Sequence, residues 1–298
     1  ITHDRVLVTP APGEPGKMPF WHGDRPGRPL EFGKAIGALT RELSSTTRPA
    51  ALKKLESHHA LDPRAAENLL RYLEDQSEAT GRLPTDRAIV IERFIDEIGD
   101  WVVTVLSPFG ARVHAPWSTA VNQRLAHELG LDPDVMYSDD GMVFRLPDAD
   151  EPPDDAWFLP DPEEVERLIV DQLPSTSLFA ARFRENAGRA LLLPKRRPGQ
   201  RTPLWAQRRK AAQLLKVASR FSDFPIVLET YRECLRDVFD LPGLIEILTH
   251  IRERRILVTS VKTRSPSPFA SSLLFNYVAS FIYEGDVPLA ERRSQMLT

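Results

Sequence analysis

The chain has 298 residues, 42% of them hydrophobic and 27% charged, with a single cysteine and a formal net charge of −3. That length and composition suit a packed core of one or two domains and exclude wholesale disorder. One cysteine rules out an internal disulfide framework and a multi-cysteine zinc site. The longest apolar runs, such as 102–106, fall far short of the roughly 20 residues a membrane-spanning helix needs. No secretory leader pattern opens the sequence, so the expected address is the cytoplasm and no membrane is expected as a partner.

Arg5-Val-Leu-Val8 reads as a strand, and 10–29 as a Pro/Gly-rich loop whose Phe20 and Trp21 pack onto the body. Helices are predicted at 30–44, 49–58 and 63–80, the last with Asp62 as N-cap and Pro63 in the first helical position. The pattern then turns to β: 88–91 and 101–106 form one hairpin around Gly99, and 135–137 and 142–146 form a second across Asp139-Asp-Gly141. A helix at 116–129 between them completes a β-β-α-β-β unit. After an acidic loop at 148–155, a helix capped by Asp161 with Pro162 and Glu164 begins a mostly helical stretch. Further helices are predicted near 177–192, 203–221, 225–239 and 244–254, then a strand at 256–261 and a last helical pair from 269 to 283 and from 288. The expected class is α+β: a helical N-terminal part (1–85), a central antiparallel β unit (86–160) and a helical C-terminal part (161–298), either separate or as one continuous domain.

The small net charge conceals a strong asymmetry. Residues 132–171 hold fourteen acids against Arg145 and Arg167, whereas 182–220 hold twelve bases against Glu185 alone. Within the basic tract, Lys195-Arg196-Arg197 lies in a Pro/Gly loop, and Arg209, Gln213, Lys216 and Arg220 follow at spacings that align them on one helix face. Ala211, Leu214, Ala218 and Phe221 then face the core. Such a tract reads either as the solvated side of an amphipathic helix, paired with the acidic segment, or as a lane for phosphates, where clustered cations gain by releasing counterions.

Trp117 ends the string Ser107-Pro-Phe-Gly-Ala-Arg-Val-His-Ala-Pro-Trp117, where a strand is expected to deliver the chain into a helix. A ring at that junction either stacks on an unpaired base, a contact worth roughly 1–3 kcal/mol whatever the base, or packs in the core. Arg112 and His114 alternate along the same extended stretch, within reach of phosphates. Trp101 alternates within a strand as core, Trp205 is open to either role, and Cys234 reads as a buried structural thiol. The seven histidines are scattered, and no metal-ligand spacing, phosphate-binding loop or nucleophile elbow is present, so no metal and no catalytic residue is assigned.

Longer strings are more specific. Ile1 to Gly23 (ITHDRVLVTPAPGEPGKMPFWHG), Ser107 to Trp117, Ser138 to Pro147 (SDDGMVFRLP), Phe183 to Pro194, Leu228 to Gly243, Pro266 to Phe275 and Tyr283 to Arg293 together resemble the Lhr (large helicase-related) family of ATP-dependent DNA helicases. The resemblance is to the region that follows two RecA-like motor domains and a winged helix, the DEAD/H-associated region. It implies a parent that moves 3′ to 5′ on single-stranded DNA, unwinds RNA:DNA hybrids and acts in DNA repair, with ATP and Mg²⁺ bound only in the motor. It also implies that Trp117 corresponds to a base-stacking tryptophan. The working expectation is an accessory clamp in which Trp117 stacks while Arg112, His114, Arg196, Arg197, Arg209 and Lys216 hold phosphates, partnered by single-stranded DNA or an RNA:DNA hybrid and by the motor and winged helix. Two alternatives stand beside it: a base-excision module using Glu92 or Asp100 as its acid, and a protein-interaction scaffold whose acidic and basic tracts dock each other.

Overall fold

Three helices, α1 (Leu30–Ser45), α2 (Arg48–His59) and α3 (Pro63–Thr80), come first in a computed structural model that describes residues 27–147, 149–193, 204–221 and 223–275. Asp62 caps α3 as expected: its carboxylate accepts the N–H groups of Arg64 at 2.9 Å and Ala65 at 3.0 Å, and Pro63 occupies the first turn, where no N–H is needed. Asp62→Ala should therefore cost about 1 kcal/mol, read as a lower urea midpoint at unchanged slope. Leu43, Ala51, Leu55, Ala66, Leu70, Leu73 and Leu83 close an apolar cluster among these helices.

The strands are β1 (Ala88–Ile95), β2 (Trp101–Leu106), β3 (Asp134–Ser138), β4 (Gly141–Leu146) and β5 (Leu257–Lys262). Both expected hairpins form, and β2 pairs antiparallel with β4, which joins them into one sheet of order β3-β4-β2-β1-β5. The sheet is mixed: β5 lies parallel to β1, with Ala88 opposite Leu257 and Arg93 opposite Lys262. The α+β class holds, with a sheet that is not purely antiparallel.

β1, β2 and β4 are buried along nearly their whole length because both faces of the sheet are covered. On one face Val90, Phe94, Val102, Leu106 and Val143 meet Ala270 and Leu273 of a helical segment at 268–275. On the other, the Phe144 ring lies 5.3 Å from Phe158, in the short helix α5 (Asp155–Phe158), and Arg93 stands over the same Phe158 ring at 5.8 Å. Arg145 forms ion pairs with Asp96 at 2.8 Å and with Asp100, which fastens the turn between β1 and β2.

The remaining helices are α4 (Ala111–Leu129), α6 (Val165–Gln172), α7 (Ser177–Arg189), α8 (Leu204–Ala218), α9 (Pro225–Arg232) and α10 (Leu241–Arg252). α9 runs on into a π-helical turn at Glu233–Val238. The chain divides into two compact units, one containing residues 27–169 and 239–275 and the other 170–238. This replaces the expected division at 85 and 160, because β5 and α10 return to the sheet-bearing unit after the helical unit has been made. Among the described residues no helix is long and apolar enough to cross a membrane. The expected strand at Arg5–Val8, the Trp21 loop and the elements beyond 275 lie outside the described residues.

Candidate nucleic-acid interface

The expected extended stretch ahead of Trp117 is helical. Gly110, at φ +93°, turns the chain into α4, and a Cβ there would stand 2.2 Å from the Arg28 carbonyl oxygen, so only glycine fits. Pro116 therefore lies inside the helix, not at its first position, and cannot donate to the carbonyl of Arg112 four residues back. The N–H of Asp240, just ahead of α10, takes that place at 2.8 Å. A tertiary contact thus makes an interior proline tolerable.

With the helix starting at Ala111, Val113, His114, Trp117, Ala120, Val121 and Leu125 all fall on its buried side. Trp117 is 0% exposed, and its indole N–H donates to the Phe158 carbonyl at 2.7 Å. Neither ring face is open to a base, so the stacking platform expected at Trp117 is corrected to a core anchor. His114 is equally buried. Its Nδ1 donates to the Ser138 carbonyl at 2.7 Å, a partner that can only accept, which leaves Nε2 to accept the Ser107 hydroxyl at 2.6 Å. Burial pushes its pKa down to about 4, with the Ser138 carbonyl opposing, so the ring is neutral and offers no charge to a phosphate. Arg112 sits half-buried in the first turn of α4, and Arg112 and His114 do not share an extended lane.

Arg196 and Arg197 lie outside the described residues. Arg209 and Lys216 are exposed on α8, as are Arg208, Lys210 and Gln213, while Ala211 and Ala218 are buried beneath them. Phe221, expected on the core side, is 58% exposed, because α8 ends at Ala218 and the turn that follows carries the ring outward. Arg112, His114 and Trp117 belong to the sheet-bearing unit, Arg209 and Lys216 to the helical one.

Within the helical unit, α7 and α8 enclose a groove of about 880 Å³. Ala180, Ala181, Ala211, Ala212 and Leu215 supply apolar walls, and Arg184, Arg208 and Lys216 supply charge, with no carboxylate among the described lining residues. Arg182, one turn from Glu185, spends its charge on that neighbour at 2.9 Å. Arg184 and Arg208 were not singled out from the sequence. Arg208, Ala212 and Lys216 repeat at four-residue steps as regularly as Arg209, Gln213 and Lys216 do, and the position of α7 decides which row borders the groove.

The groups considered for chemistry are otherwise engaged. Glu92 is fully buried and accepts from Thr263 Oγ1 at 2.8 Å, Ser267 N at 2.8 Å and Ser267 Oγ at 2.5 Å, which ties the chain after β5 to the sheet. Asp100 is bound by Arg145. Neither carboxylate is presented as the acid of a base-excision pocket. Burial pushes the Cys234 thiol up to about 11, so it is not a nucleophile at neutral pH.

Residues 83–270 match the family described as DEAD/H associated. Over its whole length the chain is 53% identical to Lhr helicase/probable uracil glycosylase of Mycolicibacterium smegmatis and 47% identical to Lhr helicase/uracil glycosylase of Escherichia coli. Over 98% of its length it is 29% identical to the ATP-dependent helicase Lhr-Core of Methanothermobacter thermautotrophicus. It spans 20% and 19% of the two bacterial relatives and 34% of the archaeal one. The structure of Mycobacterium smegmatis helicase Lhr bound to ssDNA and AMP-PNP aligns with 89% of this chain at a TM-score of 0.78 and 50% identity, over 34% of that protein.

Proposed function

The chain belongs to the DEAD/H associated family, and on that premise we propose that it is the strand-holding accessory region of an Lhr-type helicase, gripping single-stranded DNA by its phosphates at the α7–α8 groove. The observation that carries this reading is the groove itself: among the described residues three cations border it and no acid lines it. Phosphate contacts of this kind are indifferent to base sequence, as a translocating enzyme requires. Among the described residues the lining offers cations and small apolar side chains, which suit an electrostatic and steric grip on the backbone.

Two further facts support the reading. A structure that resembles this chain at 50% identity is of a helicase bound to ssDNA. The matched stretch is also common to relatives named for both helicase and uracil glycosylase and to others named for the helicase alone, which favours a role in the helicase part. ATP and Mg²⁺ belong, on this reading, to the parent's motor, as do 3′-to-5′ movement and the unwinding of RNA:DNA hybrids in repair, and the setting is cytoplasmic. The motor and winged helix are the partners within the parent chain.

Binding of a fluorescent oligo-dT by the 298-residue chain across a salt series tests the proposal. Three phosphate contacts on a single strand give a log–log slope of about −2, and Arg208→Glu/Lys216→Glu should remove about 1.4 of it and weaken binding at least about tenfold at low salt. An unchanged slope in the folded variant sinks the groove reading. Binding indifferent to salt would favour the protein-scaffold alternative.

A further inference from the structure

A second cleft, of about 290 Å³, opens in the sheet-bearing unit where α1, α10, the turn ahead of β1 and the start of β5 meet. Lys34, Arg87, His250 and Arg255 line it together with Ile247 and Ile256. The two carboxylates in its lining, Asp86 and Glu246, are already engaged. Asp86 accepts both prongs of Arg41 at 2.8 and 3.0 Å, and Glu246 accepts Lys34 Nζ at 2.6 Å. Arg87 makes only a 3.8 Å contact with Asp86, and Arg255 pairs at 3.0 Å with Glu253, which does not line the cleft. Their side chains are 69% and 67% exposed, so water screens both pairs and either guanidinium can exchange its partner at little cost.

The backbone brings Arg255 to the cleft by a strained route. α10 closes with the Arg254 N–H on the Ile251 carbonyl at 3.0 Å and the Arg255 N–H on the His250 carbonyl at 2.8 Å. This closure needs a left-handed residue, and Arg254 fills that position at φ +60°, where glycine is free of a penalty of roughly 1–2 kcal/mol. The same closure, with the Ile256 N–H at 3.1 Å from the His250 carbonyl, gives the Thr249, His250 and Ile251 carbonyls of α10 donors of their own.

We propose that this cleft binds the phosphoryl group of a single nucleotide, with the Arg87 and Arg255 guanidinium forks on its oxygens and the nucleoside against the partly exposed His250 ring, while the buried Ile247 and Ile256 close the floor. Planar forks match phosphate oxygens two at a time, which an ammonium does not do. The cleft is at the lower end of the roughly 300–1,000 Å³ of small-ligand sites and offers no length for a helix or strand of a protein partner. The nucleotide is either free or the phosphorylated end of a strand. The site goes beyond the α7–α8 reading and shares no residue with it.

Calorimetric titration of the 298-residue chain at low salt with dAMP, deoxyadenosine and inorganic phosphate tests the proposal. The expected result is saturable dAMP binding, no binding of deoxyadenosine and weaker binding of phosphate alone. Arg87→Glu/Arg255→Glu should weaken dAMP at least about tenfold, while Arg208→Glu/Lys216→Glu leaves it unchanged, so the two sites fail separately. Displacement of dAMP by a 5′-phosphorylated oligo-dT but not by its 5′-hydroxyl form identifies a strand end as the source, and no displacement by either identifies the free nucleotide. Absence of saturable dAMP binding, equal affinity for phosphate, or full affinity in the folded Arg87→Glu/Arg255→Glu variant overturns the proposal. Should that variant not fold, the side-chain Nε–H resonances of Arg87 and Arg255 in the wild-type chain decide, and dAMP binding that moves neither overturns it equally.

Discussion

Trp117→Ala should destabilise the sheet-bearing unit by about 3–5 kcal/mol, the range for deleting a large buried aromatic. The side chain is enclosed on every side, and the change also strands the Phe158 carbonyl, which loses the indole N–H at 2.7 Å. Urea denaturation followed by circular dichroism measures the loss. Oligo-dT affinity, taken where the variant is still folded, should match wild type. A variant of wild-type stability with weakened binding would restore Trp117 to the DNA contact and remove it from the core.

Acid should weaken the fold through His114. Its folded-state pKa, about 4, lies below its ordinary 6.5, so the unfolded chain takes up the proton first as pH falls. Stability from this group is complete above about 6.5 and drains away as pH drops toward 4, a loss of about 3 kcal/mol over that span. Carboxylates paired in the folded state add to the slope, so the test is a comparison: the urea midpoint at pH 7 and at pH 4.5 for wild type and for His114→Asn. Wild type should lose more across that interval, and parallel losses would show that His114 carries no linked proton.

What could be read from the sequence was what is decided locally. Asp62-Pro63 announced its helix because the cap acts on the very next N–H groups, and both hairpins were visible because a turn and two apolar runs lie within about twenty residues of each other. The start of α4 was misread for a tertiary reason. Pro116 resembles a first-turn proline, and the N–H that makes it tolerable inside the helix comes from Asp240, well over a hundred residues away. That single displacement carried Trp117 from a presumed surface junction to the core, and with it the candidate base contact. The two clefts escaped notice for a related cause, since Lys34, Arg87 and Arg255 meet only once β5 has joined β1, and Arg184 meets Arg208 only once α7 has packed on α8.

The parallel pairing of β1 with β5 also sets a timetable for biosynthesis. Ala88 and its partner Leu257 are separated by the rest of the sheet and by the entire helical unit. At a ribosomal pace of about 5–20 residues per second, β1 must wait roughly 8–34 s for its neighbour to emerge. The antiparallel strands can pair during that interval, but one border of the nascent sheet stays uncovered, a long-range closure of the slow kind that exposes a chain to misassembly. Chaperone demand for this region should therefore persist until β5 emerges and fall once Lys262 has cleared the exit tunnel.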